Sequence, residues 1–447
     1  MNHPRTAIRN ATLICLSPEH PDPLRADLLV HEGRIEAIGI IPSLPDLEEF
    51  DATGCLVMPG FVNAHMHCWQ TGLRGMATDL TLPNYLGLIH AAMAPRFTPD
   101  DMAIAGQCAA LNQLDSGTTT VADWCHNIIT PEHADAAIQG LQDARIRAVF
   151  LHGFPLRARD GSKADIATLC HDRAALVRLQ DGVLRAQDGL VKLGMAILGP
   201  HYSEAEAATA DLELAHELGA IASMHHSGGP ARSQGGWANV EERGLLDCTV
   251  NIVHGNSFSD QELLRLTELG VSFTVTPEVE MSAGHGDPIT NRLLTLGSGP
   301  SLGVDIESGI SAEMLTVARL ALAEQRAADH RAARAAGLPF AAMNRTTARD
   351  ALLWATVRGA AALGLEEKTG QLRSGMAADL IVIDTRHLNL AGGNDPFATA
   401  LNASAENIVA VMVAGDWRKR DGKLVGADLG RETGRLLESQ ARLLAAP

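Results

Sequence analysis

Between residues 61 and 305, eight short apolar, β-like runs recur, separated by longer Ala/Leu-rich stretches of helical period. The runs are FVNAHMH, TTTVADW, RAVFLHGF, KLGMAILGP, IASMHH, TVNIVHG, VSFTVTP and SLGVD; AEAATADLELAHELG and DQELLRLTELG are examples of the stretches between them. Apolar residues recurring every three to four positions mark helices, whereas short apolar runs bounded by turn formers mark strands. Eight strand–helix alternations over about 300 residues specify an α/β chain that closes into a (β/α)8 TIM barrel. This places the barrel at residues 58–369.

The two ends have another rhythm. Residues 1–57 contain TAIRNATLICL, ADLLVHEGRIEAIG and ATGCLVM, with HEGR as a turn. Residues 370–430 contain GQLRSGMAADLIVID, NIVAVMVAGDW and RKRDGKLV, again short strands joined by Gly or Asp-Gly turns. The expectation is one small β-sandwich domain built from both ends, followed by an amphipathic C-terminal helix over 431–447. A length of 447 residues suits one large and one small domain. With only 4% aromatic residues among 46% hydrophobic ones, the core must be built mainly of Ala, Leu, Val and Ile.

Charge and cysteine content narrow the partners. The formal net charge is −17, and no Lys/Arg-rich stripe exists, which argues against nucleic acid as a partner. The N-terminus carries polar and charged residues through any would-be signal core, and no apolar run approaches the roughly 20 residues of a membrane span. Seven scattered cysteines without a CxxC pair suit reduced thiols, so a cytoplasmic protein acting on a small molecule is expected.

Titratable residues gather at the ends of the eight runs. In chain order these are His65 and His67; Asp123 and His126; His152; His201; His225 and His226; His254; Glu278, Glu280 and His285; and Asp305. A barrel opens all its strand C-termini onto one face, where the active site lies. His65 and His67, two apart on a strand, project to the same side. Neutral imidazoles suit Zn²⁺ or Fe²⁺, and a catalytic metal needs about three protein ligands and an open position. A strand-borne HxH with a distant histidine and aspartate meets that need. Neither HExxH nor an HxE…PCxxC signature is present.

PGFVNAHMHCWQTGLRG, SGTTTVAD, VHGNSFSDQEL, LGVD and GQLRSGMAADLIVID resemble the amidohydrolase superfamily, nearest its cytosine deaminase/atrazine chlorohydrolase branch of mononuclear enzymes. The resemblance covers nearly the whole chain and implies the same barrel and end domain. It implies His65 and His67 as metal ligands, with His225 or His226 as the third. His225 is preferred because it shares strand parity with Ile221 and Ser223. His254 would orient the attacking water or polarise the substrate, and Asp305 would be both metal ligand and general base. One divalent ion is implied, zinc ahead of iron, since Lys192, the nearest candidate for the bridging lysine of binuclear members, stands at the wrong end of its run. Relatives are often dimers or larger, so a homo-oligomer is the expectation by analogy.

The chain departs from these relatives at one point. Deaminases of the branch usually carry a glutamate three residues after the fifth-strand histidine, where HHSGGP offers only Gly228 or Gly229. Glu280 and His285 in TPEVEMSAGHG are the candidates to handle protons instead, with Glu307 in reserve. Gln70, Arg74, His201 and Tyr202 are candidate substrate contacts, Arg74 equally a salt-bridge partner. The expected function is metal-dependent hydrolysis of a non-peptide C–N bond, foremost deamination of a nitrogen heterocycle. Amide or cyclic-amide hydrolysis, or displacement of another leaving group as in the dechlorinating relatives, is the alternative. A catalytically dead scaffold is disfavoured because the whole ligand set survives.

Overall fold

The computed structural model describes residues 5–43, 47–156, 165–185 and 189–445. Residues 1–4 of the expected N-terminal segment and 446–447 of the expected C-terminal helix lie outside them. The eight runs form eight parallel strands in sequence order. They are β1 (Phe61–Met66), β2 (Thr118–Cys125), β3 (Arg147–His152), β4 (Val191–Ile197), β5 (Ala222–His226), β6 (Val250–His254), β7 (Ser272–Val275) and β8 (Ser301–Leu302). Every strand is buried on at least one face, as expected where helices cover a parallel sheet.

The barrel closes just past β8. Met66 and Asp305 form a parallel bridge, in which the Asp305 N–H donates to the His65 carbonyl (2.9 Å) and the His67 N–H to the Asp305 carbonyl (2.9 Å). Closure therefore locks Asp305 in register with the two first-strand histidines. The helices between strands start where the sequence supplies caps. Thr98 and Asp101 form a reciprocal capping box on the helix Pro99–Asp115, as do Ser259 and Glu262 on Asp260–Glu268.

The chain ends build one mixed sheet of nine strands, joined by antiparallel pairing of Cys55–Pro59 with Leu380–Asp384. The sheet is continuous, but its inward residues, among them Ile8, Leu28, Val57, Val382 and Met412, form a single apolar cluster, so it wraps one core as a sandwich does. HEGR is a hairpin turn with Glu32 and Gly33 both at positive φ, the backbone a two-residue hairpin requires; Asp421–Gly422 repeats it. Arg147 at the opening of β3 pairs bidentately with Asp379 (2.6 and 3.0 Å), tying barrel to sheet through a buried ion pair. The C-terminal helix Leu429–Ala445 lies on Pro99–Asp115, with Leu443 buried and Ser439 donating to Asp101 (2.6 Å). Among the described residues no helix is long and apolar enough to cross a membrane.

Candidate active site

Four side chains converge at the C-terminal mouth of the barrel. His65 and His67 are buried on and just beyond β1, His225 reaches in from β5, and Asp305 follows β8. The ligand atoms of His65, His67 and His225 all lie within 4.8 Å of one another. Nε2 of His225 is 3.2 Å from Nε2 of His65, and the Asp305 carboxylate is 3.3 Å from His65 Nε2 and 3.4 Å from His67 Nε2. His67 is oriented by Nδ1, which donates to the Trp124 carbonyl (2.6 Å) and so leaves Nε2 facing the cluster as a lone pair. Nδ1 of His65 is buried without a hydrogen-bond partner.

The electrostatics match a cation site. Burial lowers the pKa of His65, His67 and His225, the last two strongly, so all three rings are neutral and can present lone pairs. Asp305 is pushed up by burial, but hydrogen bonding to His65 and the nearby histidines more than offset it, holding the carboxyl well below the usual range. Two neutral imidazole nitrogens 3.2 Å apart share one proton at most, whereas a cation between them satisfies both. The donor set, three imidazoles and a carboxylate, suits one divalent ion such as Zn²⁺ or Fe²⁺. Lys192 lies exposed at the opening of β4, at the opposite end of the barrel from the mouth.

The adjacent pair on β5 separates cleanly. His225 packs against Trp124 (ring centroids 4.3 Å apart) within the cluster. His226 turns away, stacked on Phe258 at 3.7 Å with its Nδ1 3.1 Å from Ser257 Oγ.

His254 closes β6 beside the cluster, Nε2 4.0 Å from Asp305. Its Nδ1 faces Glu280 Oε1 (3.2 Å) and Thr276 Oγ1 (3.2 Å). Burial works against its charged form, yet the Glu280 hydrogen bond and the charges of Asp305 and Glu280 prevail and raise its pKa. Both His254 and Asp305 adopt φ +71°, a left-handed conformation that costs an ordinary residue about 1 kcal/mol or more. Two strand ends thus each place a left-handed residue at the histidine cluster.

Glu280 is wholly buried behind His254, in the helix Pro277–Ala283, and accepts the Thr276 N–H as well (3.0 Å). His285, half-buried, sits with its ring 4.4 Å from that of His254 and Nδ1 3.0 Å from Ser227 Oγ. His201 and Tyr202 brace the glycine turn after β5: Tyr202 donates to the Gly228 carbonyl (2.8 Å) and accepts the Ser227 N–H (3.0 Å), and His201 Nε2 lies 3.1 Å from the Gly229 carbonyl.

Gln70 is buried at the mouth, donating to Tyr85 (2.5 Å) and accepting from Ser308 (2.6 Å). Arg74 pairs with Glu307 (2.7 Å), which also accepts from Asn112 (2.5 Å) and Thr71. That network commits Glu307 elsewhere. Sequence reasoning gave no part to Tyr85 or His90, which continue from Gln70 toward the metal cluster: Tyr85 OH lies 3.0 Å from His90 Nε2, and His90 Nε2 3.3 Å from His126 Nε2. His126 then packs on His67, ring centroids 4.3 Å apart. His126 was marked by its place after β2, but Tyr85 and His90 lie on a segment with no strand to point at them.

A (β/α)8 barrel whose mouth gathers three neutral imidazoles and a carboxylate defines a barrel hydrolase with a metal site. Residues 56–418 match the model of the amidohydrolase family. The 8-oxoguanine deaminase of Pseudomonas aeruginosa is 30% identical over 441 residues, covering 94% of this chain and 95% of its own. A 5-methylthioadenosine/S-adenosylhomocysteine deaminase of Symbiobacterium thermophilum is 28% identical over 432 residues, covering 94% and 93%. Among solved structures, an adenosine deaminase from Xanthomonas campestris with bound zinc superposes with a TM-score of 0.80 at 21% identity, covering 99% of each chain. Atrazine chlorohydrolase from Arthrobacter aurescens TC1, complexed with zinc, gives a TM-score of 0.82 at 21% identity, covering 97% of this chain and all of that one (100%). The chain belongs to the amidohydrolase family, and it is a metal-dependent hydrolase of non-peptide C–N bonds.

Proposed function

We propose that this enzyme deaminates an amino-substituted nitrogen heterocycle of the purine type, releasing ammonia, with one divalent ion held by His65, His67, His225 and Asp305. The observation that carries the reading is the barrel closure, which sets the Asp305 carboxylate against both first-strand histidines. The relatives named as 8-oxoguanine, methylthioadenosine and 5'-deoxyadenosine deaminases support the leaving group and the substrate class. Zinc is the expected ion, because neutral imidazoles with one carboxylate suit it and because solved neighbours hold it.

An ion held by these residues would supply Lewis acidity, lowering the pKa of the attacking water from 15.7 towards about 7. Asp305, ionised and held by its backbone hydrogen bonds to His65 and His67, is the fixed acceptor for the proton of the attacking water. His254 faces the same space through Nε2, and in its raised-pKa form it donates toward oxygen developing on the substrate carbon. Glu280 is a positioning residue: it fixes the His254 tautomer through Nδ1 and does not itself reach the mouth. Gln70, held by Tyr85 and Ser308 at the wall of the mouth, keeps one amide N–H for the ring edge of a bound heterocycle.

The test is ammonia release from 8-oxoguanine, 5′-methylthioadenosine, 5′-deoxyadenosine and adenosine by zinc-loaded protein, with chloride release from atrazine measured in parallel. Ammonia from at least one purine supports the reading. Chloride without ammonia assigns the other leaving group, and neither product overturns the proposal.

A further inference from the structure

The resemblance to mononuclear deaminases leads one to expect a carboxylate three residues after the fifth-strand histidine, where this chain has Gly228. The backbone there has φ +93°, and a Cβ added to it would lie 3.2 Å from the Cβ of Ser257. Any side chain would be strained by its backbone and pressed against its neighbour. The carboxylate has not simply been exchanged for a smaller residue. The turn is built around glycine and held so by Tyr202 and His201.

A different segment supplies a side chain to this place. His285 reaches across from the segment after β7 and meets Ser227, the residue next to Gly228, through Nδ1 (3.0 Å). Its ring lies 4.4 Å from that of His254, and its backbone N–H is tied to the Glu280 carbonyl (3.0 Å). Among the described residues its Nε2 has no hydrogen-bond partner, and the ring is only half-buried. Two of the other carboxylates nearby are committed elsewhere: Glu280 is shut behind His254, and Glu307 is engaged by Arg74, Asn112 and Thr71.

We propose that His285, wedged between His254 and Ser227, is the catalytic residue that carries protons to the substrate nitrogens in place of the missing carboxylate. This rests on the deaminase reading of the site. The proton balance closes with water alone. As the water oxygen bonds to the ring carbon, its first proton passes to the adjacent ring nitrogen. The C–N bond to the amino group then breaks with its electron pair leaving on nitrogen. The proton of the new hydroxyl reaches that nitrogen through His285 Nε2, so that C=O forms and ammonia departs. Burial, with the neighbouring His254, lowers the His285 pKa to about 4, so the resting ring is neutral and able to accept before it donates.

The experiment uses full-length zinc-loaded protein and whichever purine probe the wild type deaminates fastest. His285→Ala and His285→Gln should each lower kcat by about 10²-fold or more, with KM within about threefold and the zinc content unchanged. Added imidazole should restore at least tenfold of the loss in His285→Ala, where the ring's space is free, and little in His285→Gln. Turnover in either variant within threefold of wild type overturns the assignment. So does a loss that follows lost zinc, or one that imidazole leaves untouched in His285→Ala. A wild type that releases ammonia from none of the probes fails the reading of the site itself, and that outcome is distinct from the others.

Discussion

The mouth of the barrel has two halves, and they are built differently. The half formed by β1, β5 and the end of β8 carries His65, His67, His225 and Asp305, and backbone hydrogen bonds of the barrel closure set its spacing. The half formed by the segments after β5 and β7 carries His285, Ser227, Glu280 and the glycine turn, and it is held mostly by side chains, which bond to other side chains and to the backbone of the turn. The first half cannot shift without opening the barrel. The second changes with its loops, which is where such scaffolds vary their chemistry. On such a scaffold the half fixed by barrel closure can stay constant while the loop-built half is rebuilt.

The largest expected effect lies in the backbone-fixed half. Asp305→Asn should lower kcat by on the order of 10³-fold or more in protein that still carries zinc, measured by ammonia release against metal content. Next, the two β5 histidines should differ sharply in zinc titrations. Loss of an outer partner already costs a metal site about 10–100-fold, so His225→Ala should weaken binding by more than about 10²-fold, while His226→Ala changes it by less than about threefold. Equal effects would break the division of the pair.

In the loop-held half the effects should be smaller and graded. Glu280→Gln should lower kcat by about tenfold at unchanged zinc content, because the amide still accepts from His254 Nδ1. Glu280→Ala should cost more, and an Ala variant no worse than Gln would remove the positioning role. The smallest effect concerns Asp123, buried on β2 and accepting the Cys68 N–H (3.0 Å). Burial pushes its carboxyl up to about 7, well above its unfolded value, so its contribution to stability is full at low pH and is lost as pH rises from about 4 through 7. Urea unfolding across that range should show a shallower fall for Asp123→Asn than for wild type.

The sequence carried more of the first half than of the second, for physical reasons. Strand periodicity and the alternation with helices marked all eight barrel strands, and the i, i+2 spacing put His65 and His67 on one side. Strand parity likewise separates His225 from His226, whose rings the structure finds in different surroundings. No period reports on loops. That Ser227 and His285 meet, that Tyr202 braces Gly228, or that Gln70 runs through Tyr85 and His90 to His126 depends on contacts between segments far apart in the chain. The left-handed φ of His254 and Asp305 is equally silent in the sequence, since His and Asp tolerate that region better than most residues but enter it at few of their positions.

The most direct measurement is a titration of chelator-stripped protein with zinc, reading ammonia release from the best purine probe. A single site at His65, His67, His225 and Asp305 predicts activity that rises linearly and breaks at one equivalent of metal. A break at two equivalents, or full activity before any zinc is added, would contradict the account.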